Sequence, residues 1–178
     1  EYTIETLSPQ VRAVSTKDHR FGTDAFLLAH FSQAKRRDII CDLGTGCGII
    51  PLLLCRKEPP QRIYAVDIQQ LGVRELELAV ELSGLQSRIV PMCVDLRRLS
   101  SERLIPRESI DLVTCNPPYK ADRCGLPSQT PSQRLARHEV ACSIGDVCAC
   151  ASYLLKYGGR LSVCQRPERL ADVMGAMR

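Results

Sequence analysis

The residues with the most chemical potential are carboxylates, glycines and one amide, each placed where an apolar run stops. Ile39-Ile40-Cys41-Asp42-Leu43 runs into Gly44-Thr45-Gly46-Cys47-Gly48, and Ile49-Ile50 follows. An apolar run, a turn with glycine at alternate positions and a second apolar run predict a buried strand, a tight turn and the start of a helix, as in a βαβ unit. Glycine serves such a turn because it tolerates φ > 0 and lets a ligand approach where a Cβ would collide. The spacing puts Ile49 where a dinucleotide fingerprint needs its third glycine, so a pyrophosphate cradle is incomplete. An acid-flanked loop of this kind suits a nucleoside without pyrophosphate that carries an amine for Asp42 to attract. S-adenosylmethionine (SAM) is such a ligand. A Gly-rich turn that binds nothing has the same local pattern, so residues beyond it must decide.

Asp67 ends the apolar run Arg62-Ile63-Tyr64-Ala65-Val66, 23 positions after Gly44. That is where an acid accepting from ribose hydroxyls is expected. Asp95 ends a third run, Arg88 to Val94, and is either an acceptor for an adenine amine or a cap for the next turn. A fourth run, Ile110 to Cys115, leads into Asn116-Pro117-Pro118-Tyr119. Two prolines can merely stop a strand. An amide, a fixed backbone carbonyl and an aromatic ring at a strand's carboxyl end also make a receptor for a planar amine. Open α/β sheets bind ligands outside those carboxyl ends. The stretch after Tyr119 carries Lys120, Arg123, Arg134 and Arg137 against the single acid Asp122, which suits contact with phosphates.

Around these residues the chain alternates strand and helix patterns. Tyr2 to Val14 reads as a hairpin about Ser8-Pro9-Gln10, and Thr23-Asp24 as N-cap and first-turn acid of a helix through Phe31. Ile49 to Cys55 is the first crossover helix. Leu71 to Ser83 is amphipathic, with Leu76, Ala79 and Val80 on one face and Glu75, Glu77 and Glu81 opposite, and Gly84 fits its C-cap. Val140 to Tyr157 reads as a helix stopped by Gly158-Gly159, Arg160 to Cys164 as a fifth strand, and Arg166 onward as a last helix. Such alternation predicts a doubly wound α/β sheet. One domain is expected, with a hairpin and helix in 1–34 preceding a Rossmann-like core in 38–178.

The Asp42 to Gly48 loop, Asp67 and Asn116-Pro117-Pro118-Tyr119 together resemble class I SAM-dependent amino-methyltransferases. More narrowly, Arg20-Phe21-Gly22-Thr23-Asp24-Ala25-Phe26-Leu27-Leu28-Ala29, Ala136-Arg137-His138-Glu139, and Gly158-Gly159-Arg160-Leu161 with Arg166-Pro167-Glu168-Arg169-Leu170 look like the bacterial valine-tRNA adenine-N6-methyltransferases. The resemblance covers nearly the whole chain. It implies the class I methyltransferase sheet, SAM as cofactor and tRNA as partner. It places Asp42, Gly44 and Gly46 at the methionine part of SAM, Asp67 at the ribose and Asp95 at the adenine, with Thr45, Ile68, Leu96 and Asn116 also among the cofactor-binding residues. Phe21, Thr23 and Asp24 would close over the methyl donor. Asn116, Pro117 and Tyr119 would be catalytic, with Pro118, Tyr119, Lys120, Arg123, Arg134 and Arg137 toward the substrate. Other readings stay open: a protein glutamine-N5-methyltransferase, an rRNA guanine-N2-methyltransferase, or a SAM- or RNA-binding module without catalysis. The class has seven strands in the order 3-2-1-4-5-7-6, and this sequence supplies five. The expectation is therefore a fragment lacking the C-terminal strand hairpin, with Arg160 to Cys164 as an open edge through which copies could associate.

Bulk properties narrow the field. The chain has 178 residues, 44% hydrophobic and 25% charged, with formal charge +4. Those are the proportions of an ordinary globular domain, permissive of an anionic partner. No apolar run approaches the ~20 residues of a membrane span, so no membrane partner is expected. The start of the sequence lacks the basic-then-apolar pattern of a secretion signal. Ten cysteines sit mostly among apolar neighbours and none forms C-x-x-C. Free buried thiols in a reducing cytoplasm, with no metal, are expected.

Overall fold

Strands apolar on both faces need cover on both sides, which a parallel sheet receives from its own crossover helices. The computed structural model describes residues 2–16, 21–117 and 142–178. An antiparallel hairpin, β1 (Thr3–Thr6) and β2 (Arg12–Ser15), comes first. Helix α1 (Thr23–Phe31) follows, then β3 (Ile39–Leu43), α2 (Ile49–Leu54), β4 (Arg62–Asp67), α3 (Gln70–Ser83) and β5 (Ile89–Cys93). A 3-10 turn at Leu96–Arg98 precedes β6 (Ile110–Cys115), and α4 (Ile144–Leu154), β7 (Leu155–Val163) and α5 (Leu170–Ala176) complete the described chain. The main sheet has the order β5-β4-β3-β6-β7, parallel throughout. Pro91 sits in the edge strand β5, where a missing N–H costs least.

Strand alternation splits the core in two. Ile40 and Leu112 belong to one apolar cluster, with α1, α2, α3 and the hairpin. Cys41, Leu43, Val113 and Cys115 belong to the other, with α4. The hairpin is clamped to α3, where Arg12 N–H donates to Ser83 Oγ at 3.0 Å.

Four details depart from sequence expectation. Thr23 is the first residue of α1 rather than its cap; the N-cap is Gly22, with no side-chain hydrogen bond. Glu75 faces inward and is fully buried, beside Cys47, whose thiol rises to about 11 chiefly by burial and secondarily through this carboxylate. The helix expected to reach Tyr157 ends at Leu154, and β7 starts at the next residue. Gly158-Gly159 makes a bulge within β7 instead of a helix stop. Ile110 pairs with Leu155 and Leu112 with Arg160, while Gly158 has φ +76°. The N-terminal end of α4 is set by a reciprocal capping box between Ser143 and Asp146.

Gly48 joins the loop to the packing of α3. Its φ is +78°, and a Cβ there would stand 2.2 Å from Leu76 Cδ1, a fully buried side chain. Gly48→Ala should therefore cost about 1–3 kcal/mol by overpacking, with added strain from the left-handed backbone. Thermal unfolding checks this; an unchanged Tm would contradict the close approach of loop and helix.

Candidate active site

The carboxyl ends of β3, β4 and β6 meet in a cleft of about 250 Å3. Gly44 and Gly46 form part of one wall, Asp67 and Ile68 another, Asp95 and Leu96 a third, and Asn116 closes the set. The loop geometry follows from its hydrogen bonds. Val66 C=O accepts from Gly44 N–H at 2.9 Å and from Thr45 N–H at 3.0 Å. Gly46 N–H donates to Asp67 Oδ2 at 2.7 Å, and Gln69 N–H donates to Asp67 Oδ1 at 2.8 Å. The carboxylate that ends β4 thus fastens the loop after β3 to the turn before α3. Gly44 and Gly46 have φ of +71° and +55°, and a Cβ at either would meet no atom within 4 Å. Both glycines are there for the backbone turn, with open space beside them. On the far side, Gly72 of α3 backs onto the loop so closely that a Cβ would lie 2.8 Å from Gly46 O.

Asp42 takes a different place from the one expected. It is fully buried and does not line the cleft. It is the register partner of Thr114 in β6, whose hydroxyl donates to Asp42 Oδ1 at 2.6 Å. Burial raises its pKa from 3.8 to about 7, opposed by the hydrogen bond from the Thr114 hydroxyl and assisted by the nearby Asp67 charge. Thr45 is likewise buried and outside the lining.

Asp95 lines the cleft and also caps the turn that follows it. It accepts from Arg97 N–H at 2.9 Å and from the Arg97 guanidinium, whose Nε lies 3.0 and 2.9 Å from its two oxygens. That pairing holds its carboxyl below the usual range. Phe21, Thr23 and Asp24 are not brought to the cleft: α1 packs on α2, and Phe21 lies 6.3 Å from Phe26, ring centre to ring centre. Pro117 is half-buried next to Asn116. Pro118, Tyr119, Lys120, Arg123, Arg134 and Arg137 lie outside the described residues. Sequence reasoning missed Thr114, Gln69 and Arg97. Thr114 had a signal, being a polar residue inside a buried strand two positions from Leu112.

Among the described residues no group of three or more His, Cys, Asp or Glu is disposed to hold a metal. Nor, among the described residues, is any helix long and apolar enough to cross a membrane. No disulfide joins any two of the nine described cysteines, and burial pushes the Cys55 and Cys150 thiols up to about 12, keeping them neutral.

A parallel sheet in this order, with a Gly-rich turn after its central strand, is the Rossmann-like fold of class I methyltransferases. The chain resembles TrmN from Thermus thermophilus with TM-score 0.62 at 24% identity, over 86% of this chain and 40% of that one. It also resembles TYW2 of M. jannaschii, solved in complex with AdoMet, with TM-score 0.56 at 12% identity over 87% of this chain and 58% of that one. The chain belongs to the methyltransferase small domain family, whose model matches residues 10–137. A curated relative from Porphyromonas gingivalis, a tRNA1(Val) (adenine(37)-N6)-methyltransferase, is 30% identical over 86% of this chain and 61% of its own length. The chain spans about three fifths of the length of the curated relatives it matches.

The buried carboxyl of Asp42 makes stability pH-dependent. Between pH 3.8 and about 7 the unfolded chain has released this proton and the folded chain retains it. Stability from this group is therefore full below 3.8 and falls as pH rises to about 7. Asp42→Asn keeps an acceptor for Thr114 without the titration. Denaturant unfolding across this range should show a flatter profile and a gain in stability at pH 8 relative to the parent. An identical profile in the variant would contradict the assignment.

Proposed function

We propose that this chain is the catalytic core of a SAM-dependent N-methyltransferase acting on an exocyclic amine, the N6 of adenine in a tRNA, in the cytoplasm. The observation that carries the reading is the convergence of Gly44, Gly46, Asp67 and Asn116 on one cleft at the carboxyl ends of three neighbouring strands. The family membership and the tRNA-modifying activity in the names of the curated relatives support it.

The cleft residues fit the cofactor. Gly44 and Gly46 leave room beside the backbone where larger residues would fill it. Each Asp67 oxygen takes one backbone N–H, so each retains a lone pair for a ribose hydroxyl. Ile68 and Leu96 offer apolar flanks to a purine. When bound, SAM supplies an electrophilic methyl group on sulfur.

The protein's part concerns the amine. An exocyclic amine is a weak nucleophile because its lone pair is spread into the ring. Acceptance of its two N–H bonds by the Asn116 side-chain oxygen and the Pro117 carbonyl favours a tetrahedral nitrogen with an exposed lone pair. The same acceptors stabilise positive charge developing on nitrogen, an electrostatic contribution aimed at the transition state. Tyr119 is assigned the stacking face for the base, worth about 1–3 kcal/mol. A base in an RNA loop needs little unstacking to enter.

Incubation with methyl-labelled SAM and either total tRNA or a release factor tests the reading. Label should enter tRNA, and nuclease digestion should place it on adenine; label only in protein would overturn the choice of substrate. Asn116→Ala should lower kcat by at least about a hundredfold while calorimetry shows SAM affinity little changed. Retained turnover in that variant would remove Asn116 from the chemistry.

A further inference from the structure

The strand register gathers a row of cations at the end of the sheet opposite the cleft. Arg62, the first residue of β4, is the register partner of Ile39, the first residue of β3. Lys35, Arg36 and Arg37 lead into β3, and Arg56 and Lys57 leave α2 toward β4. Because α2 runs back between the parallel strands β3 and β4, its C-terminal end and the start of β4 share this edge. All six cations are exposed, and none has an ion-pair partner among the described residues. Only two acids occur in segments 32–38 and 55–62. Asp38 is buried and engaged, accepting from Lys35 N–H at 2.9 Å and lying 3.6 Å from Arg160 Nη2; Glu58 is exposed. Six cations against Glu58 and the engaged Asp38 leave these two segments with a net positive charge.

Beside it lies a groove of about 390 Å3 between α1 and α2. Phe26 and His30 stand on its α1 side, and Arg56 and Lys57 belong to the other wall. Cations next to a half-exposed aromatic ring suit a phosphodiester strand with a base turned aside to stack. A lipid headgroup has no planar ring to use that wall.

We infer that this edge is a second RNA-docking surface, on which phosphates of the substrate lie along Lys35, Arg36, Arg37, Arg56, Lys57 and Arg62 while another part of the same RNA presents its base at the cleft. The inference rests on the RNA-substrate reading above. The span is reasonable: β3 has five residues, so at ~3.3 Å per residue the row and the Gly-rich loop are about 17 Å apart along the strand. One arm of a folded RNA reaches both.

The test uses two exposed double variants, Arg36→Glu with Arg37→Glu, and Arg56→Glu with Lys57→Glu. Binding of fluorescent total tRNA is followed by anisotropy over a salt series, and SAM binding by calorimetry. Each variant should bind tRNA roughly tenfold more weakly, with the log–log salt slope shallower by about two. SAM affinity should be unchanged, and methyl transfer should lose KM for tRNA rather than kcat. Parent and variants binding tRNA equally, with label still entering tRNA, would overturn the docking surface and leave the activity standing. A parent that neither binds nor methylates RNA would overturn both. Variants that keep tRNA affinity but lose retention on phosphatidylserine vesicles would assign the row to a membrane surface instead.

Discussion

Two backbone N–H groups pointing at one carboxylate hold the functional end of this fold together. The Gly-rich loop takes φ values that leave its N–H groups turned away from any ladder, and such groups need acceptors. Asp67 takes Gly46 N–H and Gln69 N–H, and the preceding Val66 carbonyl takes Gly44 N–H and Thr45 N–H. The end of β4 is thereby the clamp for the turn after β3. Since Gly72 of α3 rests on the outer side of that turn, the loop is fixed from both sides. The open space left beside Gly44 and Gly46 is a consequence of this clamping.

Beneath the loop lies a polar pair with a different cost. Asp42 and Thr114 face each other across β3 and β6, with buried Ser162 as Thr114's register partner in β7. A carboxyl out of water keeps its proton more readily, and with its pKa near 7 the loop rests on a group poised between neutral and charged.

Much of this was legible from the chain. Ile110 to Cys115 and Arg62 to Asp67 are strands with the boundaries their apolar runs suggest, because turn residues stop both abruptly. The sheet order matches the first five strands of the class I arrangement. What escaped depended on contacts distant in sequence. Nothing local marks Glu75 as inward; its helix position resembles that of the exposed Glu77 until the hairpin and loop cover it. Gly158-Gly159 looks like a helix stop, but pairing with β6 draws Leu155 straight into the sheet and turns the glycines into a bulge. Asp42 was read as a ligand contact because acid-flanked loops bind amines, yet its strand position directs it under the loop beside Thr114. Asp95 allowed two readings; the structure forms the cap and also puts the residue in the cleft lining.

We propose that cofactor binds in the smaller cleft at the strand ends rather than in the larger groove between α1 and α2. Hydrogen exchange followed by mass spectrometry, with and without saturating SAM, tests it directly. Slowed exchange is expected in peptides covering 43–48, 66–69, 94–97 and 115–117, the segments that line or clamp the cleft. Protection confined to 26–34 and 53–57, the walls of the groove, would contradict it.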